Sequence, residues 1–175
     1  ISIMLFGKKS FENVISNGLV LDRDGNKMSK RLGNAVDPFE ILKRYGPDAT
    51  RWYMISNSNP WDNLKFDEEG IKEVLRKFFG TLSNTYNFFA LYANIDGFTN
   101  DEKIMDYSKR SFDDRWIISK LNSTIKSIDN YLENFDPTKA ARCLNVFLIN
   151  DLSNWYVRLN RKRFWKGDYS YDKKM

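Results

Sequence analysis

The strongest constraint on the fold is the spacing of apolar residues after position 67, which keeps the period of an α-helix over three long stretches. These stretches cover residues 71–92, 117–135 and 140–159. Apolar residues at this spacing share one side of a helix and have to pack against another element. Three such helices with short connections predict an antiparallel bundle.

Two Asp-Pro pairs mark where helices should begin. Asp37 is a good N-cap, Pro38 suits the first helical position and Glu40 completes a capping box. Asp136 and Pro137 repeat the cap-and-proline pattern and open the third long helix. A helix beginning at Pro38 and a bundle helix beginning at Pro137 are therefore predicted.

The first part of the chain has a different pattern, with an apolar, β-branched run that predicts a strand over residues 17–21 and a turn over residues 22–25. Gly46 should end the first helix, and Pro47 should start another that runs to residue 55. Residues 56–64 carry the Asn, Ser, Pro and Asp of a connector.

We place a domain boundary in this connector, which gives an N-terminal section over residues 1–60 and a helical domain over residues 61–175. The chain begins at Ile1, without an initiating Met, and ends at Met175 within a charged stretch. We therefore expect a piece of a longer polypeptide.

Composition excludes several kinds of site. The 175 residues contain no histidine, so Ser-His-Asp and Cys-His catalytic machinery cannot exist within them. The single cysteine, Cys143, excludes an internal disulfide and a Cys/His metal site, and it indicates a buried thiol in the reducing cytoplasm. The apolar runs are too short for a membrane span, and the net charge of +5 permits a polyanionic partner without requiring one.

A lysine-rich loop follows the predicted turn and carries three cations and a hydroxyl between Gly25 and Gly33. Lysine ammonium groups can follow a moving phosphate, and flanking glycines let the backbone swing. From chemistry alone the loop is either a phosphate-binding loop or a solvated hairpin end. Its residues are Lys27, Met28, Ser29, Lys30 and Arg31.

The end of the third helix combines basic and aromatic residues. Arg158, Arg161 and Lys162 share a helix face that could bind an RNA backbone, or could simply be solvated. Trp155 and Trp165 are predicted to be core residues. The acidic groups at residues 67–69 and 113–114 fit helix N-termini better than catalytic carboxylates or a metal site.

The lysine loop resembles the Lys-Met-Ser-Lys-Ser signature of the class I aminoacyl-tRNA synthetases, and its surroundings resemble the isoleucyl-tRNA synthetases within that family. The matching stretches are Gly18, Leu21-Asp22, Leu32-Gly33-Asn34, Val36-Asp37-Pro38, Tyr45-Gly46-Pro47-Asp48-Ala49, Pro60-Trp61-Asp62-Asn63-Leu64-Lys65-Phe66, Asn84-Thr85-Tyr86-Asn87-Phe88-Phe89, Tyr92-Ala93-Asn94 and Asp151-Leu152-Ser153-Asn154-Trp155-Tyr156-Val157-Arg158.

This resemblance implies a mainly α segment, with the end of a Rossmann-type α/β catalytic domain followed by an antiparallel helical bundle that packs against tRNA. It implies that Lys30 contacts ATP and stabilises the departing pyrophosphate, and that Lys27 supports the phosphates, while Met28 and Ser29 shape the loop. Arg31 stands where the commonest signature has Ser.

The implied reaction of the full-length enzyme uses isoleucine, ATP with Mg²⁺, and tRNA. The family's second ATP signature, His-Ile-Gly-His, cannot occur in a chain without histidine, so the segment alone is expected to be inactive. Two alternatives stay open, namely a non-catalytic RNA-binding helical module and a segment of a valyl or leucyl enzyme.

Overall fold

The computed structural model describes residues 1–99 and 106–165, which are mainly α-helical. A two-stranded parallel sheet is the only sheet among these residues. The elements in chain order are α1 (Ser2–Phe6), β1 (Val20–Leu21), a 3₁₀ turn (Lys30–Leu32), α2 (Pro38–Tyr45), α3 (Pro47–Asn57), β2 (Leu64–Lys65), α4 (Glu68–Val74), a π-helical turn (Leu75–Phe79), α5 (Gly80–Ile95), a 3₁₀ turn (Tyr107–Lys109), α6 (Phe112–Glu133), α7 (Pro137–Val146), a π-helical segment (Phe147–Val157) and α8 (Arg158–Trp165).

Strand β1 is shorter than the predicted strand over residues 17–21, because only Val20 and Leu21 find ladder partners in β2. The preceding residues bond to the same segment in another way. The Gly18 N–H donates to the Pro60 carbonyl at 2.8 Å, and the Leu19 N–H donates to the Asn63 side chain at 2.9 Å. Residues 60–66 therefore lie along the strand that leads into the lysine loop.

The predicted helix starts are present in the structure. The Asp37 carboxylate accepts from the Phe39 N–H at 2.9 Å, and the Asp136 carboxylate accepts from the Lys139 N–H at 2.9 Å. Gly46 ends α2 with a positive φ of 83° and directly precedes α3, which continues to Asn57 rather than ending at residue 55.

One apolar core joins α2, α3, β2 and α4. Its buried members are Ile41, Ala49, Tyr53, Leu64, Phe66 and Ile71. These residues come from both sides of the domain boundary predicted after residue 60. The boundary stays a prediction, and the packing shows that the segment just after residue 60 folds onto the section before it.

The three long helices are present, and two of them contain π-helical stretches that apolar spacing did not predict. Helices α4 and α5 form one continuous rod through the π-helical turn, and α7 and α8 form another through the π-helical segment. Helix α6 packs antiparallel against the second rod. The sequence also predicts a loop with Asp96, Gly97 and Asn100 between the first two long helices, and Asn100 lies outside the described residues.

The apolar stripe predicted along α6 is only partly buried. Ile117 is buried, whereas Leu121, Ile125 and Leu132 are exposed. The reason is that Asp114 and Thr124, both buried, take positions on the packed side of this helix. Among the described residues no helix has the length and apolarity needed to cross a membrane.

Replacement of Gly18 by Ala should destabilise the protein, because a Cβ atom there would stand 2.1 Å from the Asp62 carbonyl oxygen. Backbone would have to move and strain the pairing of β1 with β2, at a cost of about 1–3 kcal/mol. Urea unfolding of Gly18→Ala measures the loss. Asn17→Ala, at an exposed neighbouring position, is the matched control, and equal unfolding free energies for both variants would contradict the prediction.

Candidate functional site

The lysine loop is anchored at its base by a small hydrogen-bond network centred on Asn34. The Asn34 side chain donates to the Asp22 carboxylate at 2.8 Å and to the Lys27 carbonyl at 3.3 Å. Its side-chain oxygen accepts from the Ser29 N–H at 2.8 Å. A single amide side chain therefore fixes both arms of the loop to the turn that precedes it.

Asp22 closes the turn before the loop. Its carboxylate accepts from the Asn26 N–H at 2.7 Å, and Leu21 pairs with Lys27 in an antiparallel bridge. The hydrogen bond from Asn34, together with those from Asn26, lowers the pKa of Asp22 below its usual value. The carboxylate is therefore charged at neutral pH and keeps its role as an acceptor.

The tip of the loop is a 3₁₀ turn with defined ends. The Ser29 hydroxyl accepts from the Arg31 N–H at 3.3 Å and caps the turn, while Gly33 ends it with a φ of 68°. Met28 packs against the apolar core of α2, α3 and β2. Met28 and Ser29 thus hold the loop from its inner side, and their part in binding ATP stays a prediction.

The three cations of the loop lie at the protein surface. Lys27, Lys30 and Arg31 are exposed, and within the described part of the chain no carboxylate forms an ion pair with them. Three unneutralised cations on a backbone held by Asn34, Ser29 and the partly buried Met28 can bind a polyphosphate.

The second predicted site is a groove between α5 and the end of the second rod. Arg158 and Arg161 line it together with polar side chains. The Arg161 guanidinium lies 5.5 Å from the centre of the Phe88 ring, which restricts its orientation. The other lining residues are Asn84, Thr85, Ser153, Asn154 and Val157.

Lys162 is exposed on the same helix but does not line this groove. The structure thus brings together two of the three predicted RNA-binding residues. The core prediction for the tryptophans was wrong, since Trp155 is 56% exposed and Trp165 is 62% exposed. Leu159, on the same rod, is exposed as well.

The reason is a polar cluster on the packed side of α8, which spacing alone did not reveal. The Arg163 guanidinium donates two hydrogen bonds to the Asp114 carboxylate, at 2.8 and 2.9 Å. The Tyr156 and Ser111 hydroxyls donate to the same carboxylate at 2.6 and 2.7 Å. Buried Asn160 donates to the Tyr156 carbonyl at 2.9 Å and accepts from Arg163 at 3.1 Å. These contacts turn polar side chains inward and leave the tryptophans outside.

Asp114 is only 2% exposed. Burial raises its pKa, but the hydrogen bonds from Arg163, Tyr156 and Ser111 and the charge of Arg163 outweigh burial and lower the pKa to about 2. Burial and the Asp114 charge raise the pKa of Tyr156, which therefore remains a neutral donor. From the sequence, Asp114 was predicted only to stabilise a helix N-terminus. Its contact with Arg163, 49 residues away, could not be predicted from the neighbouring sequence.

The acidic group at residues 67–69 has the capping role that the sequence predicted. The Asp67 carboxylate accepts from the Glu69 N–H at 3.0 Å, and Glu68 bonds to Arg44 and to Tyr45, each at 2.8 Å. Across residues 1–99 and 106–165, no three His, Cys, Asp or Glu side chains are placed to hold a metal ion.

Two family models match this chain. The model for tRNA synthetases class I (I, L, M and V) matches residues 1–67, and the model for the anticodon-binding domain of tRNA ligase matches residues 114–173.

Curated relatives are similar along nearly the whole chain. The isoleucine–tRNA ligases of Cytophaga hutchinsonii and Porphyromonas gingivalis are 62% and 61% identical over 99% of it, and that of Clostridium novyi is 47% identical over the same share. The chain spans about 15–16% of the length of these relatives.

Solved structures share the fold at low identity. Methionyl-tRNA synthetase of Mycobacterium tuberculosis, bound by methionyl-adenylate, matches with a TM-score of 0.69 and 17% identity over 91% of this chain and 30% of its own. LeuRS of Agrobacterium radiobacter K84, in a ternary complex with tRNA and LeuAMS, matches with a TM-score of 0.56 and 21% identity over 82% of this chain and 20% of its own.

The buried Asp114 carboxylate should make stability fall in acid. The pKa of Asp114 is about 2 in the folded protein, whereas the ordinary value for this side chain, which applies to the unfolded chain, is 3.8. At a pH between these two values the unfolded chain therefore binds more protons than the folded protein. Its contribution is complete above about pH 4–5 and is lost as the pH falls toward 2, a loss of about 2 kcal/mol.

Unfolding free energies measured by denaturant titration between pH 6 and pH 2 check this expectation. Asp114→Asn should be less stable at pH 6 and should lack that part of the acid dependence, whereas the control Asp113→Asn should follow the parent profile. An unchanged acid profile in Asp114→Asn would show that another group causes the loss.

Proposed function

The chain belongs to the class I aminoacyl-tRNA synthetase family, in its isoleucine–tRNA ligase branch, and on that premise we propose that it forms part of a cytoplasmic ligase that activates isoleucine with ATP and transfers it to tRNA. The observation that carries the proposal is the lysine loop, in which an anchored backbone presents Lys27, Lys30 and Arg31 free of described carboxylate partners.

The loop suits the phosphates of ATP for a physical reason. When isoleucine attacks the α-phosphate, negative charge moves onto the departing pyrophosphate, and cations that meet it there stabilise the transition state more than the ground state. Because Asn34 and Met28 hold the loop at its base, little reorganisation is needed at the tip. Lys30, at the start of the 3₁₀ turn, is the proposed contact to the pyrophosphate, and Lys27 supports the same phosphates.

Met28, Ser29 and Arg31 complete the proposed ATP-binding loop. Met28 fixes the loop to the core, Ser29 caps the turn, and Arg31 adds a planar donor group beside Lys30. Mg²⁺ would accompany ATP in the full-length enzyme, and among the described residues no three His, Cys, Asp or Glu side chains are grouped to hold a metal ion by themselves. We therefore assign no step of the reaction on these residues to the metal.

Removal of the Lys30 ammonium should slow isoleucine activation in a full-length ligase that contains this segment. Lys30→Ala is expected to lower kcat for isoleucine-dependent exchange of pyrophosphate into ATP by roughly 10²–10³-fold, with a smaller change in the KM for ATP. Lys43→Ala, which removes an exposed lysine from α2, is the matched control and should behave as the parent enzyme. Equal rates for Lys30→Ala and Lys43→Ala would exclude a role for Lys30 in the transition state.

The groove between α5 and α8 is the proposed tRNA contact. Arg158 and Arg161 are exposed there beside amide and hydroxyl groups, and Lys162 extends the basic surface along α8. Arginine and lysine side chains of this kind neutralise backbone phosphates and release counterions. The polar side chains that line the groove, rather than the net charge of the chain, are the reason to propose this surface as the tRNA contact.

A charge reversal tests the groove. In a full-length ligase that contains this segment, Arg158→Glu with Arg161→Glu should weaken tRNA binding and reduce the slope of log K against log salt by roughly 1–2, about 0.7–0.9 for each lost phosphate contact. The double variant Lys109→Glu with Lys126→Glu changes the net charge equally at exposed positions outside the groove. Affinity and salt slope equal to those of the parent protein would rule out a tRNA contact at this groove.

A non-catalytic RNA-binding module is the second candidate, and the same groove is the observation that favours it. The two proposals differ in the lysine loop, because a binding module has no use for Lys30. Loss of pyrophosphate exchange in Lys30→Ala with tRNA affinity retained therefore supports the enzyme over the module.

A further inference from the structure

Two side chains of helix α7 cap the C-terminal end of α3 with three hydrogen bonds. The Arg142 guanidinium donates to the Ser56 carbonyl at 2.9 Å and to the Asn57 carbonyl at 2.7 Å. The Thr138 hydroxyl donates to the Ser58 carbonyl at 2.9 Å. Three successive carbonyls at the end of one helix are therefore satisfied by side chains 80 to 86 positions away.

These contacts are well placed to fix the angle between the two helices. The last carbonyls of a helix have no partner within it, and a cation there also meets the negative end of the helix dipole. Thr138 is completely buried, so its hydroxyl has no water to replace the Ser58 carbonyl. A shift of α7 along α3 would break these bonds together.

The closed helix end connects to the strands beneath the lysine loop. The Asn57 side chain donates to the Tyr53 hydroxyl at 3.3 Å, and that hydroxyl donates to the Lys65 carbonyl in β2 at 3.0 Å. Strand β2 pairs with β1, whose Leu21 bridges to Lys27 of the loop. The bonded path thus leads from Arg142 on α7 to the base of the lysine loop.

We propose that Arg142 and Thr138 are positioning residues that hold the tRNA-binding helices in register with the lysine-loop section, so that they govern the use of tRNA and leave isoleucine activation intact. This inference rests on the proposed function. Neither residue lies in the proposed ATP or tRNA contacts, and both act through the end of α3.

The experiment compares two reactions of a full-length ligase that contains this segment. Arg142→Lys keeps the charge but removes the two-pronged donor geometry, and Thr138→Val removes the hydroxyl with little change of shape. Arg76→Gln, at an exposed arginine of the π-helical turn, and Arg142→Gln form a matched pair. For each protein, isoleucine-dependent pyrophosphate exchange, the kcat and KM for tRNA in aminoacylation, and Tm are measured.

We expect Arg142→Gln and Thr138→Val to raise the KM for tRNA or lower kcat/KM in aminoacylation by roughly tenfold, because small misplacements of a bound substrate are costly. Pyrophosphate exchange should stay within about twofold of the parent enzyme. In aminoacylation, Arg142→Lys should lie between the parent enzyme and Arg142→Gln, because the lysine keeps a cationic donor at the helix end. Arg76→Gln should leave both reactions unchanged.

Two results would overturn the inference. Unchanged aminoacylation in Thr138→Val and in both Arg142 variants would show that the closed helix end does not position tRNA. Parallel loss of both reactions with a lowered Tm in all three variants would assign these residues to stability alone. Failure of the proposed function is distinguishable, because the parent enzyme itself would then lack isoleucine-dependent exchange.

Discussion

The N-terminal half of the structure depends on Tyr53, whose ring lies in the core and whose hydroxyl joins three elements. The hydroxyl donates to the Lys65 carbonyl and accepts from the Asp67 N–H at 3.1 Å and from the Asn57 side chain. Burial raises the pKa of Tyr53, so the group stays a neutral donor. Gly70 makes room for the ring, because a Cβ there would stand 2.3 Å from it. Strand β2 has only two residues, so this side chain, more than the sheet, holds it under the lysine loop.

The helical bundle has its own polar centre, and the two centres differ in what they cost. Tyr53 needs only neutral hydrogen bonds, whereas Asp114 and Arg163 bring charges out of water. A buried ion pair rarely adds much net stability over an apolar packing, but removal of either partner leaves an unpaired charge. The bidentate geometry instead fixes one rotation of α8 about its axis. That rotation places Arg158 and Arg161 in the groove and sends Trp155 to the surface.

Apolar spacing predicted the three long helices, and cap chemistry predicted where α2 and α7 begin, because both are local properties of the sequence. The residues of the lysine loop were proposed from the resemblance to a family. The hydrogen bonds that hold the loop backbone come from Asn34, which belongs to one of the matching stretches. The burial of Asp114 and the exposure of Trp155 could not be predicted. Both follow from a contact between residues 49 positions apart, and helical periodicity assigns a tryptophan to the core whenever no such contact is known.

The lysine loop and helix α8 share one arrangement of polar contacts and exposed basic side chains. The lysine loop has an anchored base and a tip whose cations have no ion-pair partner among the described residues, and several carboxylates near it have partners of their own. Asp22 is taken by Asn34, Asp67 caps α4, and Glu68 binds Arg44 and Tyr45. The loop cations Lys27, Lys30 and Arg31 are exposed. The same arrangement recurs on α8, where Arg163 takes the buried acid and Arg158 and Arg161 remain exposed. In both places a polar contact on the inner side, Asn34 with Asp22 or Arg163 with Asp114, holds the backbone. Basic side chains are exposed on the outer side, and a fixed backbone with exposed cations is suited to binding phosphate.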